Sequence, residues 1–231
     1  METNEYTECY IAFLDMLGFK NLVKERSCND IKDIFNVFKR MPISAVYFRG
    51  KYIVSKNTTE ALRIKVMSDS ICLYIDVNTP NALLCILASC MEIQYNLLNC
   101  ATPIFLRGAI TRGDIYAEKD VTFGPGLTES YLMESNNAKY PRIILTKEIL
   151  EHIKCSNYEE ECVLKTIVFR DFDAFYAVNY FKMIFSNKAT YESIIDKINY
   201  VLDTTTDNSI REKYLYIERI LRQRTEQSDR E

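Results

Sequence analysis

Two apolar runs, each meeting an aspartate, constrain the fold of this chain more than any other feature. Residues 10–14 (Tyr10, Ile11, Ala12, Phe13, Leu14) are continuously apolar, of strand length, and rich in β-branched and aromatic side chains. Asp15 follows directly, and Gly18 then releases the chain into a long helical pattern. A carboxylate in such a place is costly unless it meets a cation, a donor or water. Residues 61–75 have the same grammar: two strand-like runs flank Ser68-Asp69-Ser70, a tight hairpin with an acid at its tip. If the strands are sheet neighbours, Asp15 and Asp69 face one another, and the two charges repel unless a divalent cation lies between them. A lone aspartate at a strand end is ordinarily a turn former or helix cap. Two of them, each bracketed by strand, leave the turn and the metal-pair readings both open.

The rest of the chain supplies a core for such a sheet. At 231 residues, 48 % hydrophobic and 26 % charged, the composition is that of one globular domain. The domain expected is residues 1–231, with a core over 8–185 and a helical segment over 188–226. A net charge of −3 gives no reason to expect a nucleic-acid polymer or an anionic membrane as partner. Eight cysteines without a C-x-x-C pair read as reduced core residues of a cytoplasmic protein. The single histidine, His152, argues against a zinc site and a Ser–His hydrolase, and reads as a surface residue. The amino terminus lacks a signal-peptide apolar region. The longest apolar window, 82–98, is broken by Ser89, Glu92, Gln94 and Asn96, so it reads as a core helix rather than a membrane span.

In chain order, residues 19–40 show helical spacing with a break near Cys28-Asn29-Asp30, where Asn29 or Asp30 would cap. Residues 41–59 are ambiguous: Val46-Tyr47-Phe48 and Tyr52-Ile53-Val54 fit short strands, Gly50-Lys51 their turn, and Asn57-Thr58-Thr59 a loop. A helix is expected over 81–100, with Thr79 as N-cap and Pro80 at the first helical position. Residues 104–110 read as a strand carrying Arg107, 111–114 as a turn, and 115–118 as the start of a return strand. Gly124-Pro125-Gly126 is a tight stretch before an amphipathic helix over 127–136. Strands are expected over 142–145, 163–170 and 175–180, helices over 146–154, 190–203 and 209–224, and fraying over 225–231. The order through residue 118 is β-α-β-β-α-β, which predicts an α+β fold: a ferredoxin-like core with additional C-terminal strands and helices.

At these residues the chain resembles the class III nucleotidyl cyclase family, over roughly residues 10–146. Phe13-Leu14-Asp15-Met16-Leu17-Gly18-Phe19 is similar to the family's first metal motif. Ile64-Lys65-Val66-Met67-Ser68-Asp69 is similar to the second, with a lysine four residues before the other metal aspartate. Leu106-Arg107-Gly108 looks like the strand whose arginine holds the triphosphate, and Gly124-Pro125-Gly126-Leu127-Thr128 like the start of the final helix. Thr128 and Leu132 stand where the purine cyclases carry a transition-state asparagine and arginine, and Val121 where adenylyl enzymes carry a base-reading side chain. This combination is similar to the pyrimidine cyclases of the bacterial Pycsar anti-phage system. The resemblance implies a homodimer with shared sites and a separate effector protein that reads the cyclic nucleotide.

The resemblance also implies the chemistry: conversion of UTP to 3′,5′-cyclic UMP and diphosphate, with CTP to cyclic CMP, or nucleotide binding without turnover, as alternatives. Two divalent ions, Mg²⁺ or Mn²⁺, would be held by Asp15, Asp69 and the carbonyl of Met16. Arg107 would grip the outer phosphates, although a strand arginine also pairs readily with an acid. The amides of Leu17, Gly18 and Phe19 open a helix and would cradle phosphate. Lys65 would face the base from the second subunit, and Thr128 and Arg112 are weaker candidates.

Overall fold

A computed structural model describes residues 5–39, 47–48, 51–52, 54–100, 103–119 and 121–228. The chain opens with strand β1 (Thr7–Met16), then helices α1 (Phe19–Glu25) and α2 (Cys28–Lys39). The break between the helices is a reciprocal cap: the Asp30 amide donates to Ser27 Oγ (3.3 Å) and the Ser27 amide to Asp30 Oδ2 (3.1 Å). Ser27 caps here, where Asn29 or Asp30 was expected; Asp30 supplies the returning carboxylate. Short strands β2 (Tyr47–Phe48) and β3 (Lys51–Tyr52) pair antiparallel; Val46, Gly50 and Ile53 lie outside the described residues. Residues 57–59, expected as loop, belong to helix α3 (Lys56–Ala61), because Ser55 Oγ accepts from the Thr58 amide and starts a turn.

Next come hairpin strands β4 (Arg63–Met67) and β5 (Ser70–Asp76) and helix α4 (Ala82–Leu98). The residue before α4 is Asn81, left-handed at φ 56°, so Thr79 and Pro80 form the preceding turn rather than cap and first residue. Strand β6 (Leu106–Ala117) then runs unbroken through the expected turn at 111–114. Ten consecutive residues of β1 pair with it, from Thr7 opposite Ile115 to Met16 opposite Leu106, and that ladder overrides the local turn signal. The chain reverses later, where the Glu118 amide donates to the Val121 carbonyl (2.8 Å), into strand β7 (Thr122–Phe123).

Helix α5 (Pro125–Asn137), strand β8 (Ile143–Leu145) and helix α6 (Lys147–Cys155) follow. Residues 163–167, expected as strand, close helix α7 (Tyr158–Ile167). Asn157 Oδ1 accepts from the Glu160 amide, three glutamates fill the first turn, and Val163, Leu164 and Ile167 bury at helical spacing. Only β9 (Val168–Arg170) is extended there; β10 (Tyr176–Val178) is its hairpin partner. Helices α8 (Phe181–Phe185), α9 (Lys188–Thr204) and α10 (Asn208–Ser228) complete the chain. Of residues 225–231, where fraying was expected, 225–228 belong to helix α10 and 229–231 lie outside the described residues. The Glu218–Arg222 pair supports the turn before.

The main sheet has the order β4-β5-β1-β6-β8-β10-β9. Its first four strands are all antiparallel neighbours, the strand order of a ferredoxin-like core, while β6 and β8 run parallel. The fold is therefore α+β with a mixed sheet. Strand β1 is apolar on both faces because both are covered. Tyr10, Ala12, Leu14 and Met16 join Leu73, Ile75 and the buried side chains of α4. Cys9, Ile11 and Phe13 join Cys72, Tyr74, Ile115 and Leu127 on the other face. A separate core joins Leu98 and Phe105 to Phe181, Ile198 and Ile217 of the last three helices.

Helix α5 crosses its face of the sheet at close range. A β-carbon on Gly126 would lie 2.6 Å from Ile11 Cδ1 and 2.7 Å from the carbonyl carbon of Gly113. Two glycines facing one another thus set the approach. On the opposite face, Gln94 of α4 fixes the start of β6: its Nε2 donates to the Ile104 carbonyl (3.0 Å) and its Oε1 accepts from the Leu106 amide (2.7 Å).

Candidate active site

The site is built where β1, the β4–β5 turn and β6 end together. Asp15 lies between Ser70 on one side and Arg107 on the other in the sheet register. The Met16 amide donates to the Asp69 carbonyl (2.9 Å), so the hairpin tip is fastened by backbone to the end of β1. Ser68 makes the turn possible by adopting φ 59°. Asp15 and Asp69 are in this way neighbours at one sheet end.

The nearest cation to Asp15 is a side chain of the protein itself. Arg107 Nε donates to Asp15 Oδ2 at 2.9 Å, with Asp15 18 % and Arg107 29 % exposed. Of the two roles open to Arg107 in the sequence, pairing with an acid is the one it adopts here. A second carboxylate, Glu134 of α5, completes the cluster. Its Oε1 lies 2.9 Å from the same nitrogen, yet accepts no hydrogen bond. The single Nε hydrogen points at Asp15, so Glu134 contacts Arg107 by charge alone. Burial pushes the Glu134 carboxyl above its ordinary range, the Arg107 charge and a bond from Ser135 Oγ opposing the rise. Sequence reading missed this residue because α5 does not bury an apolar stripe. Its buried row is Gly126, Ser130, Glu134, two small residues and an acid four apart.

The other expected residues fall as follows. Leu17 donates its amide to the Phe105 carbonyl (2.9 Å), so that amide serves the sheet and not a phosphate. Gly18, at φ 79°, precedes the first turn of α1, and the Phe19 side chain is buried beneath it. Lys65 lies half-buried on β4, where Nζ donates to the carbonyls of Glu118 (2.9 Å) and Lys119 (3.3 Å) and braces the turn after β6. Thr128 is exposed on α5 and donates to the Gly124 carbonyl (3.2 Å). Arg112 lies elsewhere, ion-paired with Glu8 (2.8 Å) and Glu148 (3.4 Å). His152, expected on the surface, is half-buried beside it and accepts or donates a 2.8 Å bond with the Tyr10 hydroxyl.

Among the described residues no set of three or more Asp, Glu, His or Cys side chains is arranged to hold a metal ion. What the site end offers is two carboxylates on adjoining backbone and one buried carboxylate oxygen, Glu134 Oε1, without a hydrogen-bond partner. Oxygen donors of this kind fit hard divalent ions.

No protein-family model matches the sequence, and no curated protein matches it. By structure, the chain is similar to the catalytic core of a rhodopsin-guanylyl cyclase with converted specificity, solved in complex with ATPαS. That likeness has a TM-score of 0.50 at 16 % identity and covers 67 % of this chain and 84 % of that one. An adenylate/guanylate cyclase/hydrolase from Silicibacter pomeroyi also matches, with a TM-score of 0.45 at 19 % identity over 67 % and 84 % of the two chains. The likeness to the rhodopsin-guanylyl cyclase core is one of fold. No helix among the described residues is long and apolar enough to cross a membrane.

Proposed function

We propose that this protein is a metal-dependent nucleotidyl cyclase that converts UTP to 3′,5′-cyclic UMP and diphosphate, as a second messenger in antiviral defence. The observation that carries the reading is the convergence of Asp15, Asp69 and Arg107 at one end of a cyclase-like sheet. Asp15, Asp69 and the Met16 carbonyl would hold two Mg²⁺ or Mn²⁺ ions. Bound there, the ions would lower the pKa of the ribose 3′-hydroxyl and neutralise the leaving phosphates. Arg107 is one bond away from that role: it exchanges the Asp15 carboxylate for phosphate oxygens, which a planar guanidinium bonds in pairs. The amides of Gly18 and Phe19 stand at the start of α1, beside the same strand end.

The site is shared across a homodimer in this reading. Lys65 leaves the carbonyls of Glu118 and Lys119 to reach the base bound by the other copy. The half-exposed rings of Tyr131 and Phe123 and the side chain of Met67 offer apolar surface for the contact. The branch resemblance and the apolar Val121 support a pyrimidine, with UTP ahead of CTP. A second reading, nucleotide binding without turnover, is favoured by Arg107 lying on Asp15 and the Thr128 hydroxyl on its own helix.

The test is incubation with each of the four nucleoside triphosphates and Mn²⁺, with products identified by mass spectrometry. Cyclic UMP is expected, and its loss in Asp15→Asn and in Asp69→Asn. ATP as the best substrate refutes the pyrimidine assignment, and wild-type turnover by either variant refutes the metal assignment. Nucleotide binding without product selects the second reading. For the shared site, Asp69→Asn and Lys65→Ala chains refolded together should recover about a quarter of wild-type activity, by counting sites in a two-fold dimer. No recovery refutes the sharing.

A further inference from the structure

The C-terminal hairpin of α9 and α10 is absent from the chemistry described so far, yet it borders the site end of the sheet. A cleft of about 460 Å³ separates it from the start of α1, with Leu17 and Gly18 on one side and Lys197 and Lys213 on the other. A neighbouring hollow of about 250 Å³ is lined by Arg107, Lys139 and again Lys213. Lys213 therefore joins the two, and cationic residues follow one another along the seam from Arg107 to Lys197.

Arg107, at one end of this seam, is held by Asp15 and Glu134, but the lysines along it are unmatched. Lys139, Lys197 and Lys213 form no ion pair and no side-chain hydrogen bond among the described residues. Arg26 also lines the cleft. The acids on the two linings are Glu25 and Glu212, both exposed. Burial and the Arg26 charge lower the pKa of the Lys197 ammonium, which marks a half-buried cation without its counter-ion. Like charges held together in a partly enclosed cleft focus a positive potential that an anion relieves. Two hollows that share one lysine, with further cations on each lining, fit a chain of phosphates better than a single one.

We propose that this seam binds polyphosphate, with Lys213 and Lys197 joining Arg107 on the outer phosphates of a nucleoside triphosphate whose inner phosphate lies toward Asp15. The identity of the nucleotide rests on the cyclase reading; the anion site does not. Helices α9 and α10 thereby become part of the substrate site.

The test is calorimetric titration of the full chain with inorganic tripolyphosphate, followed by competition against UTP turnover. The wild type is expected to bind. Lys213→Gln and Lys197→Gln should each weaken binding about tenfold or more, the scale of one charged hydrogen bond. Lys213→Arg should retain it, and Lys165→Gln, remote on α7 and paired with Glu161, should leave it unchanged. Tripolyphosphate should compete with UTP and raise its KM. Failure of the wild type to bind, equal binding by all variants, or inhibition that leaves KM unchanged overturns the proposal. Lysine-dependent binding in a protein that turns over no nucleotide supports the anion site and removes the cyclase reading. Turnover with lysine-independent binding does the reverse.

Discussion

Arg142→Met should be among the most damaging single substitutions away from the candidate site. Arg142 has no exposed surface. Its guanidinium bonds Asp171 and both oxygens of Asp173, while the Tyr216 hydroxyl donates to Asp171 Oδ2 (2.7 Å). The rings of Tyr140, Phe172, Phe175 and Tyr216 stand with centroids 5.4–5.9 Å from the guanidinium carbon. Removing the cation strands Asp171, whose side chain is 2 % exposed, with the Tyr216 hydroxyl and the Phe172 amide as its remaining donors among the described residues. Breaking a buried pair from one side costs about 3–5 kcal/mol. In a chain of this length each kcal/mol moves the melting midpoint by about 2–4 °C, so a fall of roughly 6–20 °C is expected.

Asp173, 30 % exposed, stays solvated and adds little to that loss. Adding Asp171→Asn removes the stranded charge and should restore part of the midpoint, which makes a double-mutant cycle the informative design. The acid limb supplies a second readout. The bonds from Arg142 hold the Asp173 carboxyl below its ordinary 3.8. Its stabilisation is therefore complete above that value and lost as pH falls through the lower folded-state value. That part of the acid limb should be missing in Arg142→Met. The assay is thermal unfolding by circular dichroism at pH 7 and across the acid range. A midpoint within about 2 °C of wild type, under ~1 kcal/mol, refutes the description of Arg142 as a buried ion-pair partner.

Gly126→Ala should destabilise by about 1–3 kcal/mol, since its new methyl meets the backbone of Gly113, which the β1–β6 ladder holds opposite Cys9; an unchanged urea midpoint sinks the close-approach account of α5. Thiol reactivity should divide by burial: Cys9 and Cys72 are pushed up to about 12 and Cys85 to about 11, chiefly by desolvation, while Cys28 and Cys155 are exposed. Iodoacetamide at pH 8 on the native protein should mark Cys28 and Cys155 first, and labelling of Cys72 at a comparable rate contradicts that division.

What was legible in the sequence follows from where burial is simple. The runs at 10–14 and 71–75 are apolar because both faces of β1 and β5 are covered, so strand type could be read directly, while the adjacency of Asp15 and Asp69 followed only on condition that the strands were neighbours, as the register makes them. Helix α4 was legible for the same reason, its buried residues running almost without interruption. Errors arose where one residue type serves two purposes. Gly113 looks like a turn former but is there to admit Gly126 of α5. The β-branched residues near 163–167 look extended, but Asn157 and three glutamates commit the segment to helix before they are reached. Glu134 was invisible because its meaning depends on Arg107, 27 positions earlier and on another element. The cations of α9 and α10 were invisible likewise, since nothing in their own helices says what they lie against.

The fastening of the β4–β5 turn has its own consequence. Asp69 is held by its carbonyl, through the Met16 amide, and that bond is indifferent to the side chain. The position thus keeps architecture and reactivity on separate atoms. One carboxylate can be gained or lost at the hairpin tip without moving the hairpin. A chain that lost this carboxylate would keep the turn where it is, so two proteins of one shape can differ in what the end of the sheet offers by a single side chain.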